Sequence, residues 1–347
     1  MTQVTSQTAT AAVGRARRKI AISSDDLVKT GSLNPGQTLP LVIEPATDRV
    51  DVLNWAEHNR SFIQTELLEH GAVLFRGFPI ATMDDFHCFV STVSGAPLEY
   101  KERSSPRSKV GDNIYTSTEY PADQSIFPHN EHSYSNTFPL KLFFWCDIPA
   151  QQGGETPLGD TRKVYQRVPP AVRDKFMEKG WMFVRNFNNG FGLPWQTVFQ
   201  TTEKSAVEDY CRRSGIEWEW RNGDKLRTRQ VRPAIASHPH TGQLTWFNHA
   251  TFFHVTTLDP AMTAALRAAY REDELPNNTF YGDGSPIADE VVASLRQAYQ
   301  AEMISFPWQA RDVVLIDNML TAHARSSFVG PRRTLVAMAE PYQRPSS

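Results

Sequence analysis

The apolar positions change period several times along the chain, and each change marks an element. Over residues 50–70, Val52, Trp55, Phe62, Ile63, Leu67 and Leu68 recur at helical spacing. Gly71 follows, where a helix end favours a left-handed residue. Ala72, Val73, Leu74 and Phe75 then form an unbroken apolar run, which predicts a short buried strand. Thr82 with Asp85 three residues on is a capping-box pattern, predicting a helix through Phe86, Phe89 and Val90 that stops near Gly95. A strand is predicted over 142–148. Further helices are predicted over 169–178, ended by Gly180, and over 203–213. Two more run from Asp259-Pro260, an N-cap and N1 pair, and over 286–299. Extended segments are predicted at 181–184, 243–247, 312–316 and 334–338.

Strands at both ends of a core, with helices early and late, do not make the regular alternation of a doubly wound fold. The pattern predicts a mainly β protein with flanking helices. Two stretches keep no period. Residues 100–128 are rich in Ser, Thr, Pro and Gly and read as loop lining an entrance. Residues 186–230 read as an insertion of the lid or binding-loop kind. Residues 1–40 lack a hydrophobic period and carry a basic cluster at Arg15, Arg17, Arg18 and Lys19. A transit peptide shares that composition, but a flexible tail is the expectation. Residues 41–347 are expected to form one domain.

Composition removes several function classes. The formal net charge is −2, which gives no electrostatic ground for a nucleic-acid partner. No apolar run approaches the ~18 residues of a membrane span. Cys88, Cys146 and Cys211 are scattered and odd in number, so they are expected to be reduced and buried in a cytoplasmic protein. Neither a GxGxxG nor a Walker loop is present, which demotes dinucleotide and phosphoryl-transfer chemistry.

The chemistry concentrates at residues 128–132, Pro-His-Asn-Glu-His. On a strand, His129 and Glu131 would share one face and aim an imidazole and a carboxylate at a common point, while His132 would face away. A distal histidine would complete the two-His, one-carboxylate set of non-haem iron oxygenases. His238, His240, His249, His254 and His323 are the candidates. His323 is preferred because it follows the strand ending at Asp317-Asn318. The Gly330-Pro331 turn after it would return Arg332 or Arg333 to its side, and a guanidinium there would suit the distal carboxylate of a keto-dicarboxylic acid.

Seven motifs in order resemble the taurine dioxygenase (TauD/TfdA) superfamily of Fe(II)/2-oxoglutarate oxygenases, and within it the SyrP-like branch that oxidises amino acids. They are residues 71–77, 115–120, 129–131, 153–156, 246–249, 281–286, and 317–323 continued to Arg333. The resemblance implies a distorted double-stranded β-helix, the cupin-like jelly roll. It implies His129, Glu131 and His323 as iron ligands, with Arg333 and Thr156 binding 2-oxoglutarate and O2 as second co-substrate. Taurine-type members place a second arginine four residues after the co-substrate arginine. Here that residue is Ala337, which argues against a sulfonate. Halogenating relatives lack the acidic ligand, and Glu131 is present.

The expected activity is hydroxylation of an unactivated C–H bond in an amino acid or an amino-acid-derived intermediate of natural-product (antibiotic-type) biosynthesis. The small-molecule substrate would arrive free or on a carrier protein. Desaturation, epoxidation or cyclisation by the same cofactors is the nearest alternative, followed by a sulfonate or aryloxyacetate dioxygenase. A zinc hydrolase and a non-catalytic jelly-roll binding protein are the rivals from other classes. Thr118, Glu119, Asn248 and Arg325 are the expected substrate contacts.

Overall fold

The computed structural model describes residues 27–48, 50–99, 107–188 and 192–345. An eight-stranded sheet runs in the order Val28–Ser32, Leu41–Pro45, Ala72–Phe75, Val313–Asp317, Thr137–Ile148, Arg333–Gln343, Ile114–Thr116, Lys109–Gly111. Its pairings are antiparallel except between Leu41–Pro45 and Ala72–Phe75. A four-stranded sheet, Met303–Ile304, Leu158–Asp160, Thr321–Arg325 and Ile126–His129, carries the histidines of interest. The architecture is mainly β with flanking helices, a distorted jelly roll.

The two-residue period of the large sheet sorts its side chains into two cores. Val73, Phe75, Phe143, Trp145, Val313, Leu315, Leu335 and Ala337 point outward, onto the helices Val52–His58, Arg60–His70 and Met83–Ser94. Leu74, Leu142, Phe144, Cys146, Val314, Ile316, Val336 and Met338 point inward with Leu158 of the four-stranded sheet. The outer layer is anchored by aromatic contacts, Phe86 stacked on Trp145 at 5.7 Å and Phe89 edge-on to Phe75 at 4.9 Å.

The Thr82–Asp85 capping box forms as the pattern predicts. The helix expected over 50–70 is two helices instead. Asn59 breaks it by turning its amide back to Trp55 O at 2.8 Å. The tail boundary at residue 40 also moves, because Val28–Ser32 pairs with Leu41–Pro45 at the sheet edge. The basic cluster lies outside the described residues. The aperiodic insertion contributes the strands Ile216–Arg221 and Lys225–Arg232 to a four-stranded sheet completed by Trp181–Phe187 and Asn277–Tyr281, with a small core around Phe187, Trp195, Val198 and Leu226. Cys146 and Cys211 are buried as expected, but Cys88 is exposed on its helix. Among the described residues no helix is long and apolar enough to cross a membrane.

Candidate metal and co-substrate site

His129 is the last residue of its strand and lies directly opposite His323 in the antiparallel pair Ile126–His129 with Thr321–Arg325. Cross-strand partners sit ~5 Å apart, so two histidines 194 positions apart in sequence present their rings together. The ring centroids are 4.4 Å apart. Glu131 does not extend that strand, as the i, i+2 argument assumed. It lies in the turn that follows, and His132 there adopts φ 55°. The turn still delivers the carboxylate: ligand atoms of His129, Glu131 and His323 lie within 4.8 Å of one another, and all three residues are buried. The same turn overturns the expectation for His132. Its Nε2 comes to 3.5 Å from Glu131 Oε1 instead of facing away.

The turn is held from the opposite chain segment. Asn318 Oδ1 accepts from Glu131 N at 2.7 Å, while its Nδ2 donates to Glu131 O and to Pro139 O, both at 2.8 Å. Asn130 Nδ2 returns the grip to Asn318 O at 2.6 Å. Asp317 caps the turn that carries Asn318, through Met319 N and Leu320 N, and its other oxygen meets His238 Nε2 at 3.0 Å. Asn130, Asp317 and Asn318 were marked in the sequence only by their places in the 129–131 and 317–323 motifs, and His238 only as a candidate distal ligand.

The electrostatics suit metal ligation. Burial alone would raise the Glu131 pKa, but Arg107, His132, His129 and His323 outweigh it and hold the carboxyl well below its usual range. Burial also lowers the pKa of His129 and His323, keeping them neutral. His129 Nδ1 lies 2.9 Å from Phe127 O, which can only accept, so Nδ1 carries the proton and Nε2 has a lone pair for a metal. Two neutral imidazoles and an ionised carboxylate, converging and buried, fit divalent iron.

A partly open cavity adjoins the cluster. Its lining includes His129, His323, Phe144, Thr118, Thr156 and Arg332. Arg333, expected as the co-substrate residue, is not there: its side chain is 60% exposed and pairs with Asp147 on the outside of the sheet. Alternation explains the exchange. Arg332 shares parity with Thr334, Val336 and Met338, which face inward, whereas Arg333 shares it with Leu335 and Ala337, which face the helices. Arg332 Nε donates to Gly154 O at 2.8 Å and Nη1 to Ser117 Oγ at 3.2 Å. Gly154 has φ +73°, and a Cβ there would lie 2.9 Å from Arg332 Cδ, so the Gly153-Gly154 turn makes room for the guanidinium. Burial and Arg325 push its pKa down to about 10, which leaves it charged at neutral pH. Thr156 is buried, and its Oγ1 accepts from Trp308 Nε1 at 3.2 Å.

The expected substrate contacts divide. Thr118 lines the cavity. Arg325 borders it, but its guanidinium donates to the carbonyls of Tyr120, Pro121 and Gln124 and so ties down that loop. Glu119 is exposed and accepts from Ser108 Oγ at 2.6 Å. Asn248 is a buried loop brace between Ala234 O and Ala250 N. Two further groups are close, one of them His249, a candidate distal ligand in the sequence. Phe252 packs on His129 with centroids 4.7 Å apart, and buried His249 lies 5.6 Å from His129 with Nδ1 2.6 Å from Ser133 Oγ. Phe253 stacks on His249 at 4.8 Å and on Phe183 at 4.2 Å, joining the site to the insertion sheet.

The profile of the taurine catabolism dioxygenase TauD, TfdA family matches residues 37–339. The chain belongs to this family. It is a dioxygenase whose cofactor is Fe(II), with 2-oxoglutarate and O2 as co-substrates. The hydrolase and non-catalytic alternatives are therefore set aside. The dapdiamide synthesis protein DdaC of Enterobacter agglomerans is 41% identical over 275 residues, 79% of this chain and 84% of DdaC. A clavaminate synthase-like protein of Arabidopsis thaliana is 32% identical over 292 residues, 81% of this chain and 85% of that protein. In fold the chain resembles PvcB of Pseudomonas aeruginosa, with TM-score 0.55 and 16% identity over 92% of this chain and 93% of PvcB. A taurine dioxygenase from Burkholderia xenovorans has TM-score 0.53 and 13% identity, over 92% of this chain and 96% of that one.

Proposed function

We propose that this dioxygenase hydroxylates an unactivated C–H bond of an amino acid or amino-acid-derived intermediate in natural-product biosynthesis, with the substrate free or carried on a carrier protein. The buried His129–Glu131–His323 cluster facing the Arg332 cavity carries the reading. The identity with a dapdiamide synthesis protein supports the substrate class.

In this reading His129, Glu131 and His323 hold Fe(II), His129 through Nε2. Arg332 receives the distal carboxylate of 2-oxoglutarate, and Thr156 offers its hydroxyl to the same molecule. When bound, iron and 2-oxoglutarate supply the activation of O2. The chain supplies orientation and exclusion of water: Phe252 covers the His129 ring and Phe144 the His323 ring at 5.0 Å. Four residues after Arg332 stands Val336, inward-facing and apolar, so a sulfonate substrate gains no cation there, as Ala337 had suggested for Arg333.

The test is anaerobic titration of Fe(II) with 2-oxoglutarate, read by the visible charge-transfer band, followed by a screen of amino acids and carrier-linked aminoacyl groups for succinate formation. The expected result is a band that is lost in His323→Ala, and a product one oxygen heavier than its substrate. A product two hydrogens lighter would move the reaction to desaturation. Turnover of taurine alone would overturn the substrate class.

A further inference from the structure

Arg107 stands just before the edge strand Lys109–Gly111, in the polar stretch that shows no period in the sequence. It is only 6% exposed, and its Nη2 donates to Glu131 Oε2 at 2.6 Å, with both side chains 3% exposed. We propose that Arg107 is the positioning residue of the metal carboxylate, fixing its orientation toward the two imidazoles. The proposal rests on the ligand assignment above and deepens it.

The need for such a residue follows from what the other contacts leave undone. Asn318 binds the backbone N–H and C=O of Glu131 and so fixes where its side chain starts. It does not fix where the side chain ends. A glutamate has one more rotatable bond than an aspartate, so its carboxylate sweeps a wider arc from the same backbone position. The other groups around the carboxylate are the imidazoles of His129, His132 and His323. Two of those are the other proposed ligands, and His132 approaches only to 3.5 Å. The guanidinium is a permanent cation with a planar, directional donor set, and it engages one oxygen at hydrogen-bonding distance. Outer partners of this kind orient a ligand before the metal arrives, and their loss commonly weakens affinity by about 10–100-fold. A purely electrostatic role has the opposite sign, since a cation beside the site repels a divalent ion. Orientation and charge can therefore be told apart.

The probe is Co(II), titrated by calorimetry and by its visible d–d spectrum, with thermal melts to confirm folding. Arg107→Ala is expected to bind Co(II) about 10–100-fold more weakly than the wild type, with an altered d–d band. Arg107→Lys is expected to fall between them. Equal or tighter binding by Arg107→Ala with an unchanged band would overturn the proposal. His323→Ala is the control for the ligand assignment: if it also binds like the wild type, the assignment fails, and not merely the role of Arg107. A second route covers misfolding of the alanine variant. In Glu131→Gly the guanidinium remains to hold a carboxylate that diffuses in, so millimolar formate is expected to restore Co(II) binding. Formate should do nothing in Glu131→Gly/Arg107→Gln. Absence of rescue in the single variant, or equal rescue in both, would sink the idea.

Discussion

The neighbouring arginines 332 and 333 differ in surroundings because a strand alternates its faces. Arg332→Ala is expected to raise the KM for 2-oxoglutarate by at least about tenfold, since a charge-assisted pair in a buried cavity is lost. Arg333→Ala removes an exposed pair with Asp147 and should leave that KM within about twofold. Uncoupled succinate formation at varied 2-oxoglutarate measures both, and a reversed order would return the role to Arg333. Asn318→Ala leaves the N–H and C=O of Glu131 without their partner. It is expected to cost roughly 1–3 kcal/mol of stability in denaturant melts. Thiol reactivity offers a separate check. Burial pushes the Cys146 thiol up to about 12, Cys211 is buried, and Cys88 is exposed. A disulfide reagent should titrate one thiol in the native protein and three after denaturation.

Elements were legible where a local rule decides them. Thr82 and Asp85 announce their helix within four residues, and His-x-Glu marks within three the pair that the fold brings beside His323. Registers and turns were not legible, because they depend on a distant partner. The choice between Arg332 and Arg333 depends on the parity with which strand Arg333–Gln343 meets Thr137–Ile148, where the ladder also carries a bulge. Glu131 reaches the site through a turn that Asn318 shapes from the other end of the chain, and nothing within residues 128–132 encodes it. Arg107 is one arginine in a polar stretch, with no periodicity to mark it. Gly71 shows how tight such long-range contacts are. It has φ +80°, and a Cβ there would lie 2.5 Å from Thr321 Oγ1, the hydroxyl that donates to Gly71 O at 2.8 Å. Gly71→Ala is therefore expected to destabilise by more than about 1 kcal/mol in urea melts, combining backbone strain with displacement of the strand that carries His323.

Across the whole molecule, buried histidines set the response to acid. Burial lowers His254 to about 4 and depresses His129, His249 and His323 as well. Each takes up a proton more readily when unfolded, near pH 6.5, than when folded. Stability of the metal-free protein is therefore full above pH 6.5 and falls as the pH drops from there toward 4. For His254 alone the loss is on the order of 3 kcal/mol. Melting temperatures from pH 7.5 to 5 should fall, with a shallower slope in His254→Asn; an unchanged slope would exclude His254 as a contributor. The pairing of the two ends of the chain has a further consequence. The strand Ala72–Phe75 completes its inner edge only against Val313–Asp317, and Asn130 bonds to Thr321 across 191 residues. On the ribosome the first half of the chain emerges with this slot open and an apolar strand edge waiting for a partner not yet made. With the proposed ligands, iron could not be held between His129 and His323 until the chain has been made through His323. Loading at the proposed site would thus follow synthesis of the strand Thr321–Arg325, and a chain released before Val313–Asp317 is made would carry an unpaired apolar edge and lack His323.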